Sequence, residues 1–460
     1  MNLEQLLTSG GDERIDLQKN GFNKYNLNPV KYEGILTRGS CTGSPLNQES
    51  HQHLIAFSKE YQAEKHDEYC EEVRNNLKEL IQEGDDNFDV FLSPSGSDLC
   101  YLPLLFAKLL HPNKDVTNYV TCPEELGTGS VLTLAGKIFS ERSQFDEKLV
   151  KGSPISDDIH VNHHFFSARN GEGELEQYKG ELIEQMNAED GKSTVIGNLV
   201  IGSKSGIADN INIISKVKKA SFWVADICQL RTPTKLINKL IDQNCMILIT
   251  GSKFYQAPPF CGALLVPKTI TKELQNADEN ILTPFKKFFS YSDIPSTLPW
   301  LKNHFKKHNN LGLLLRWKAA LYEMNQLNKI DPTDVINTVE TWNKSVLDEL
   351  AKYPDLFELM PQASTSNPSI IPFRLKRRDG NYISDEQLKD FYDYIIAKDL
   401  SGFEGPYKKV ALGQPVKYSG ISFIRMALGS YNIRQILSGK HSLKDDLTLV
   451  QIIAEEARNF

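Results

Sequence analysis

An acid, an amide and a lysine follow two neighbouring apolar runs in the middle of the sequence. Asp226 and Gln229 come directly after the run Phe222 to Ala225, and Lys253 comes shortly after the run Cys245 to Thr250. The separation of 27 residues between the acid and the lysine matches one strand–helix–strand step, which would bring both to the same edge of a parallel sheet. A carboxylate and an amine at one edge suit a cofactor with a pyridinium nitrogen at one end and an aldehyde at the other.

Each of the three residues has a defined part in that chemistry. An ionised Asp226 would keep the ring nitrogen protonated, which makes the ring an electron sink for a carbanion at the substrate α-carbon. Lys253 would hold the aldehyde as a Schiff base and act as general acid and base at that carbon. Gln229, one helical turn past the acid, is placed to donate to the ring hydroxyl oxygen. Taken singly, the acid is better explained as a helix cap and the lysine as a solvated loop residue, but their combination favours the functional interpretation.

A turn of small residues follows the first strand-like run of the same series. Ser95, Gly96 and Ser97 stand between a run that ends at Leu92 and a helical stretch. Such a turn offers backbone N–H groups and hydroxyls to a phosphate. An ordinary turn with Ser97 or Asp98 as the helix N-cap explains the same residues equally well. Its place in the first strand–helix unit favours the phosphate site.

An arginine stands inside an otherwise apolar segment, 423–429, near the C-terminus. A buried guanidinium without a partner is costly, so Arg425 needs a carboxylate or a phosphate. We interpret Arg425 as the residue that binds the α-carboxylate of an amino-acid substrate. An internal salt bridge is the structural alternative, and Arg434 is a weaker candidate for the same role.

The elements that would position these residues form an α/β pattern. Short apolar runs recur between about residues 90 and 270, separated by helical stretches such as 99–110 and 234–243, which predicts a mainly parallel sheet in a three-layer α/β/α domain. Long helical segments at 313–327 and 332–353 precede a mixed tail that begins near residue 369. We predict three units: an N-terminal arm (1–45), a large cofactor-binding domain (46–310), and a long helix with a smaller α+β C-terminal domain (311–460).

The composition of the chain argues against several classes of protein. The 460 residues carry a net charge of −7, and the Lys and Arg side chains are scattered, so a nucleic-acid surface is not expected. No stretch has the length of a membrane span or of a signal-peptide core. The seven cysteines include no CxxC pair, which indicates a reduced cytoplasmic protein without a bound metal.

The segment 224–266 resembles the fold-type I pyridoxal-phosphate enzymes, most closely the class V aminotransferase and cysteine desulfurase group. The group's Asp-Ala-x-Gln motif stands here as Asp226-Ile-Cys-Gln229, and its Ser-Lys motif as Ser252-Lys253, followed by a Gly-containing strand. The resemblance implies pyridoxal 5′-phosphate as the cofactor, held covalently by Lys253, and a contact between Ser252 and its phosphate. It also implies a homodimer with active sites at the subunit interface.

Other positions take roles from the same resemblance. Ser203 lies in a loop that matches the one near the cofactor hydroxyl, and Thr42 lies in an arm (38–44) expected to reach the substrate. Thr297 would contact the phosphate of the neighbouring subunit. Lys204 offers a rival Ser-Lys pair, but it has no acid one strand upstream, so Lys253 is preferred.

Two departures from the group's pattern bear on the reaction. Where the group has an aromatic or His that stacks on the ring, this chain has the segment 122–129 with neither, and the pair His163 and His164 lies elsewhere. Cysteine desulfurases need a mobile nucleophilic Cys in the smaller domain, and none follows Cys261. Cys41 could enter a site only from the arm.

These features rank the functional hypotheses. An aminotransferase acting on an amino acid or amine comes first, and a lyase (β-elimination or C–S type) that uses the same residues comes second. A non-catalytic protein that has kept the fold is the alternative from another class. An unrelated nucleotide-binding enzyme is remote, because neither GxGxxG nor GxxxxGK[ST] occurs.

Overall fold

The computed structural model describes residues 2–274, 279–361, 368–377, 379–418 and 420–460. The described strands are β1 (Ile35–Arg38), β2 (Phe88–Ser93), β3 (Asp115–Thr121), β4 (Val161–Phe166), β5 (Ser193–Val200), β6 (Phe222–Asp226), β7 (Cys245–Thr250), β8 (Gly262–Pro267), β9 (Phe357–Leu359), β10 (Ile370–Leu375), β11 (Lys409–Tyr418) and β12 (Ile421–Ala427).

The described α-helices are α1 (Leu3–Leu7), α2 (Gln48–Glu60), α3 (His66–Ile81), α4 (Gly96–Leu99), α5 (Tyr101–Leu110), α6 (Thr128–Leu134), α7 (Lys179–Ala188), α8 (Thr234–Asp242), α9 (Lys268–Glu273), α10 (Glu279–Leu282), α11 (Pro299–Lys302), α12 (Leu311–Leu327), α13 (Pro332–Leu350), α14 (Asp385–Ala397), α15 (Ser430–Leu437) and α16 (Leu443–Asn459). None of these helices is long and apolar enough to cross a bilayer.

A seven-stranded sheet forms the centre of the large domain, in the order β2-β8-β7-β6-β5-β3-β4. The strand β8 runs antiparallel to both of its neighbours, and the other pairs are parallel. Alternate residues of β7 pack into two separate buried clusters, Met246 and Leu248 into one, Ile247 and Ile249 into the other. Both faces of the sheet are therefore covered, which confirms the predicted three-layer α/β/α fold with a mainly parallel sheet.

The register of β6 and β7 brings the predicted acid and lysine to one edge. Asp226, the last residue of β6, pairs with Leu248 of β7, so both strands end at the same side of the sheet. The chain then turns at Gly251, where a Cβ atom would lie only 2.3 Å from Ala320 Cβ of α12. The missing side chain lets the loop that carries Lys253 pass close to this helix.

A second, five-stranded sheet follows the large domain, in the order β1-β11-β12-β10-β9. It is antiparallel except for β1, which pairs in parallel with β11. This confirms the predicted smaller α+β domain. The strand β1 belongs to the segment that we predicted as an N-terminal arm, so the beginning of the chain is tied to the C-terminal sheet.

Candidate active site

A cavity of about 370 Å³ opens at the carboxyl ends of the central strands. Such edges are where open α/β sheets bind ligands. All but one of the residues predicted from the sequence line it: Thr42, Ser95, Gly96, Ser97, Ser203, Asp226, Gln229, Ser252, Lys253 and Arg425. The fold thus brings together residues that lie more than 380 positions apart in the chain.

Lys253 presents a free amine to this cavity. Its side chain is partly buried, and none of the residues that the structure describes hydrogen-bonds to its ammonium group. The preceding hydroxyl, Ser252 Oγ, is fully buried and also lacks a hydrogen-bond partner among the described residues. Unpartnered polar groups in a buried setting are costly unless a ligand completes them.

The acid and the amide are fixed by the chain around them. Asp226 Oδ1 accepts a hydrogen bond of 2.9 Å from the Cys228 N–H, which orients the carboxylate at the end of β6. Gln229 Nε2 donates to the Cys41 carbonyl at 2.9 Å, and its other amide hydrogen is left for a ligand. The carboxylate and the amide therefore line the cavity in preset orientations, together with the lysine.

Lys204, the rival lysine, also lines the cavity but is engaged by the backbone. Its Nζ donates to the Glu124 carbonyl at 3.0 Å and to the Leu126 carbonyl. Burial lowers the pKa of Lys204 to about 8, and the charges of Arg425 and Lys253 act in the same direction against the Glu125 carboxylate. With two hydrogen bonds already made, Lys204 ties two loops together rather than offering a free amine.

Arg425 has no acidic partner among the residues that the structure describes. Its Nη2 donates to the Gln414 carbonyl at 2.6 Å and lies 3.2 Å from Thr42 Oγ1, and its Nη1 donates to the Lys204 carbonyl at 3.2 Å. The Nε atom is buried and unpartnered. The alternative of an internal salt bridge is therefore wrong within the described part, and the guanidinium charge is left for a ligand. Arg434, by contrast, pairs with Glu49 and Glu323 outside this cavity.

The small-residue turn lies beside the first strand, as expected. Ser95 caps the short helix α4 by accepting a bond of 3.2 Å from the Asp98 N–H, and its hydroxyl donates to the Asp98 carboxylate at 2.6 Å. Gly96 packs against the strand ends, where a Cβ would lie 3.1 Å from Cys228 Sγ. The same turn therefore caps α4 and lines the cavity.

Thr297 is the predicted residue that lies outside the cavity. Its hydroxyl donates to Asp89 Oδ1 at 2.9 Å. The described structure is a single chain, so a contact with a neighbouring subunit's phosphate stays a prediction. The pair His163 and His164 also lies away from the site, on the edge strand β4, where His164 stacks on Tyr119.

Sequence reasoning missed Glu125, which organises one wall of the cavity. This buried carboxylate accepts hydrogen bonds from the Ser203 hydroxyl (2.6 Å), from the Ser205 N–H and hydroxyl (2.8 and 2.6 Å), and from the Tyr418 hydroxyl. The next residue, Leu126, lines the cavity in the segment where a ring-stacking residue was sought. The signal available in the sequence was an acid beside the start of a helix. Its hydrogen-bond partners lie in two distant segments, so the sequence did not connect them to it.

Arg14 was also missed. It lines the cavity from the N-terminal segment, where a short 3-10 helix, Glu13–Ile15, places it next to the serine turn. The sequence around Arg14 has no apolar periodicity. The available argument was therefore the one applied to Arg425, that a buried guanidinium needs an anionic partner. Lys24, Tyr25 and Phe260 line the same cavity.

The residues present fit a pyridine-aldehyde phosphate. A free amine, an oriented carboxylate and an unpartnered buried hydroxyl match its aldehyde, ring nitrogen and phosphate. No group of three or more His, Cys, Asp or Glu is placed to hold a metal in the part of the chain that the structure describes.

No protein-family model matches the chain, and no curated protein matches its sequence. Solved structures do match its fold. A cysteine desulfurase from Escherichia coli has a TM-score of 0.58 at 12% identity, covering 92% of this chain and 94% of that one. A cysteine desulfurase from Thermococcus onnurineus has a TM-score of 0.56 at 12% identity, covering 93% and 95%.

A phosphoserine aminotransferase from Cytophaga hutchinsonii has a TM-score of 0.52 at 13% identity, covering 87% of this chain and 96% of that one. At such identities the likeness concerns the fold rather than the reaction. The chain shares its fold with these solved structures, which confirms the fold that its motifs predicted.

Proposed function

We propose that the chain is a pyridoxal-phosphate-dependent enzyme that acts on an amino acid or amine, and that its reaction is aminotransfer. The observation that carries this proposal is Lys253, a lysine that no described residue hydrogen-bonds, in one cavity with the oriented carboxylate of Asp226. When bound, the cofactor supplies an aldehyde for the amine and an electron sink for the α-carbon.

The chain's own residues bind the substrate and move a proton. Arg425, with no acidic partner of its own among the described residues, would hold the substrate carboxylate beside Thr42. Lys253 Nζ would take the proton from the substrate α-carbon as the general base and would return it as the general acid. Asp226, whose carboxylate is oriented by the Cys228 N–H, would stand opposite the ring nitrogen. In this proposal, Arg425 binds the substrate, Lys253 moves the proton and Asp226 supports the ring.

The test is the absorption spectrum of the purified protein supplied with the cofactor, before and after borohydride. We expect the wild type to show a visible band that borohydride removes, and Lys253→Ala to lack it. Lys204→Ala is the matched control, because it removes the lysine of the rival Ser-Lys pair and should keep the band. A colourless wild type would reject the cofactor, and a band that survives in Lys253→Ala would reject the choice of lysine.

A C–S lyase is the second candidate, and one observation favours it. Cys41, which follows β1, is buried and lines the same cavity, so a thiol is present at the site although none follows Cys261. Incubation with an amino acid and a keto acid separates the two reactions. Equal amounts of new keto acid and new amino acid indicate aminotransfer, whereas sulfide release from cysteine that Cys41→Ser abolishes would indicate the lyase.

A further inference from the structure

Arg14 places a guanidinium group against the serine turn. Its side chain is 12% exposed, with Nη2 3.0 Å from Ser95 Oγ and Nη1 3.4 Å from Ser97 Oγ. The guanidinium carbon lies 4.7 Å from the centre of the Phe260 ring and 4.9 Å from that of Phe139. Two aromatic faces thus hold the charged group in a fixed plane at the cavity wall.

A neighbouring acid orients this arginine. Arg14 Nε lies 2.6 Å from Asp12 Oδ1 and Nη2 lies 2.7 Å from Oδ2. Burial disfavours both charges, but the Arg14 charge outweighs it and lowers the pKa of Asp12. The side chain is therefore held in one rotamer before any ligand arrives, so an anion at the turn would gain charged N–H groups at little entropic cost.

Ser252 supplies an independent sign of an anion at this end of the cavity. Its hydroxyl is fully buried, lines the same cavity as Arg14 and has no hydrogen-bond partner among the described residues. Because it lines the cavity, this hydroxyl is available to an acceptor atom of a ligand, which would offset the cost of its burial. Thr297, which the family resemblance assigned to a neighbour's phosphate, instead donates to Asp89 in its own chain.

We infer that Arg14 binds the cofactor phosphate in its own subunit, together with Ser97 and Ser252, so that the N-terminal segment completes the phosphate site in cis. This inference rests on the proposed function, because it assigns a residue to the phosphate of that cofactor. With Nε and Nη2 paired to Asp12, the guanidinium presents Nη1 on the side of Ser97, and a charged N–H there can donate to a phosphate.

The test compares equilibrium binding of pyridoxal 5′-phosphate and of pyridoxal, which lacks the phosphate, by absorption titration of the apo protein. Arg14→Gln should weaken pyridoxal-phosphate binding by about 10- to 100-fold and leave pyridoxal binding within about 2-fold, since one charge-assisted interaction is lost. Arg14→Lys should fall between, because it keeps the charge and loses the planar group that pairs with Asp12 while donating toward Ser97. Inorganic phosphate, which competes for the site, should weaken the binding of pyridoxal 5′-phosphate to the wild type more than its binding to Arg14→Gln.

Arg142→Gln is the matched control. Arg142 also ties down the N-terminal segment, with Nη2 3.2 Å from the Asp12 carbonyl and an ion pair to Asp16, but it does not line the cavity. Its variant should keep wild-type affinity. Equal losses for both ligands in Arg14→Gln, or an equal loss in Arg142→Gln, would overturn the assignment. If Arg14→Gln binds pyridoxal 5′-phosphate as tightly as the wild type, the phosphate contact of Arg14 is rejected and the proposed function stands. If the wild type binds no pyridoxal 5′-phosphate, the proposed function is rejected.

Discussion

Two clusters of buried charge differ in how completely their polar atoms are paired. In the C-terminal domain, Arg38 forms an ion pair with Asp446, and its Nη1 donates to a backbone carbonyl at 2.8 Å. The same carboxylate accepts from Trp342 Nε1 at 3.0 Å and contacts His441, whose other ring nitrogen meets Tyr407 at 3.0 Å. Every charged group of this cluster has its partners inside the chain.

The cavity is built in the opposite way. Arg425 Nε and Ser252 Oγ are buried without hydrogen-bond partners in the described part, and no described residue binds the Lys253 ammonium. Both clusters contain buried arginines, so burial alone does not mark the functional site. The cavity is distinguished because its unpaired polar atoms line one opening together with a free amine and an oriented carboxylate, where a ligand can complete them.

The largest expected effect breaks the paired cluster. Asp446→Asn leaves the Arg38 charge buried without compensation, so we expect the free energy of unfolding to fall by about 3–5 kcal/mol. Urea denaturation followed by tryptophan fluorescence measures it. Glu404→Gln removes the exposed Lys444–Glu404 pair and should leave the stability nearly unchanged, because solvent screens that pair. An Asp446 variant as stable as this control would show that the paired cluster is not structural.

The next effect tests the unpaired guanidinium. Arg425→Gln should raise KM for an amino-acid substrate by about 10- to 100-fold, because a charge-assisted bond to the carboxylate is lost. The matching amine without a carboxylate serves as the internal control and should keep its KM. Steady-state kinetics with both substrates decide the point. Equal losses for the acid and the amine would assign Arg425 to the fold instead.

A smaller effect is the pH dependence of stability, which has opposite signs in the two regions. Burial, together with the Asp12 charge, raises the pKa of Asp98 to about 7. The folded state then holds this proton more tightly than the unfolded chain, so stability falls as pH rises. Between pH 6 and 8 the loss from this group is about 1.4 kcal/mol.

Urea unfolding of the apo protein across this range, with Asp98→Asn as the comparison, measures the difference. The Asn variant should lose that part of the slope. Asp446 has the opposite sign: burial disfavours its charge, but Arg38 and His441 hold its pKa well below the usual range, so its contribution is lost only in acid, below about pH 4. A wild type and an Asp98→Asn variant with the same slope would contradict the raised pKa.

The smallest effect concerns the unpartnered hydroxyl. Ser252→Ala should weaken cofactor binding by about 3- to 10-fold and leave the stability of the apo protein unchanged or slightly higher, because no protein hydrogen bond is lost. Ser44 provides the control, since its hydroxyl is also buried and unpartnered among the described residues but lies outside the cavity. Ser44→Ala should keep the cofactor affinity. Equal affinities in both variants would mean that Ser252 makes no contact with the ligand.

The cavity also shows why some site residues were predictable. Asp226 and Lys253 follow apolar strands that are one crossover apart, so strand parity and the direction of parallel strands put them at one edge before any tertiary detail is known. The serine turn follows the same rule. The antiparallel direction of β8 was not predicted, because a buried apolar run looks the same in either direction.

The sequence by itself determined the layered α/β fold, the edge of the sheet that carries the site, and the acid, amide and lysine that stand there, because local periodicity and chain direction dictate them. The tertiary structure alone decided which lysine is free, that Arg425 lacks an acid in the described chain, and that Arg14 and Glu125 join the cavity. Those outcomes depend on contacts between residues 83 and 293 positions apart, such as Arg14 with Ser97 and Glu125 with Tyr418. No local pattern encodes such contacts, since they arise only when separate elements pack.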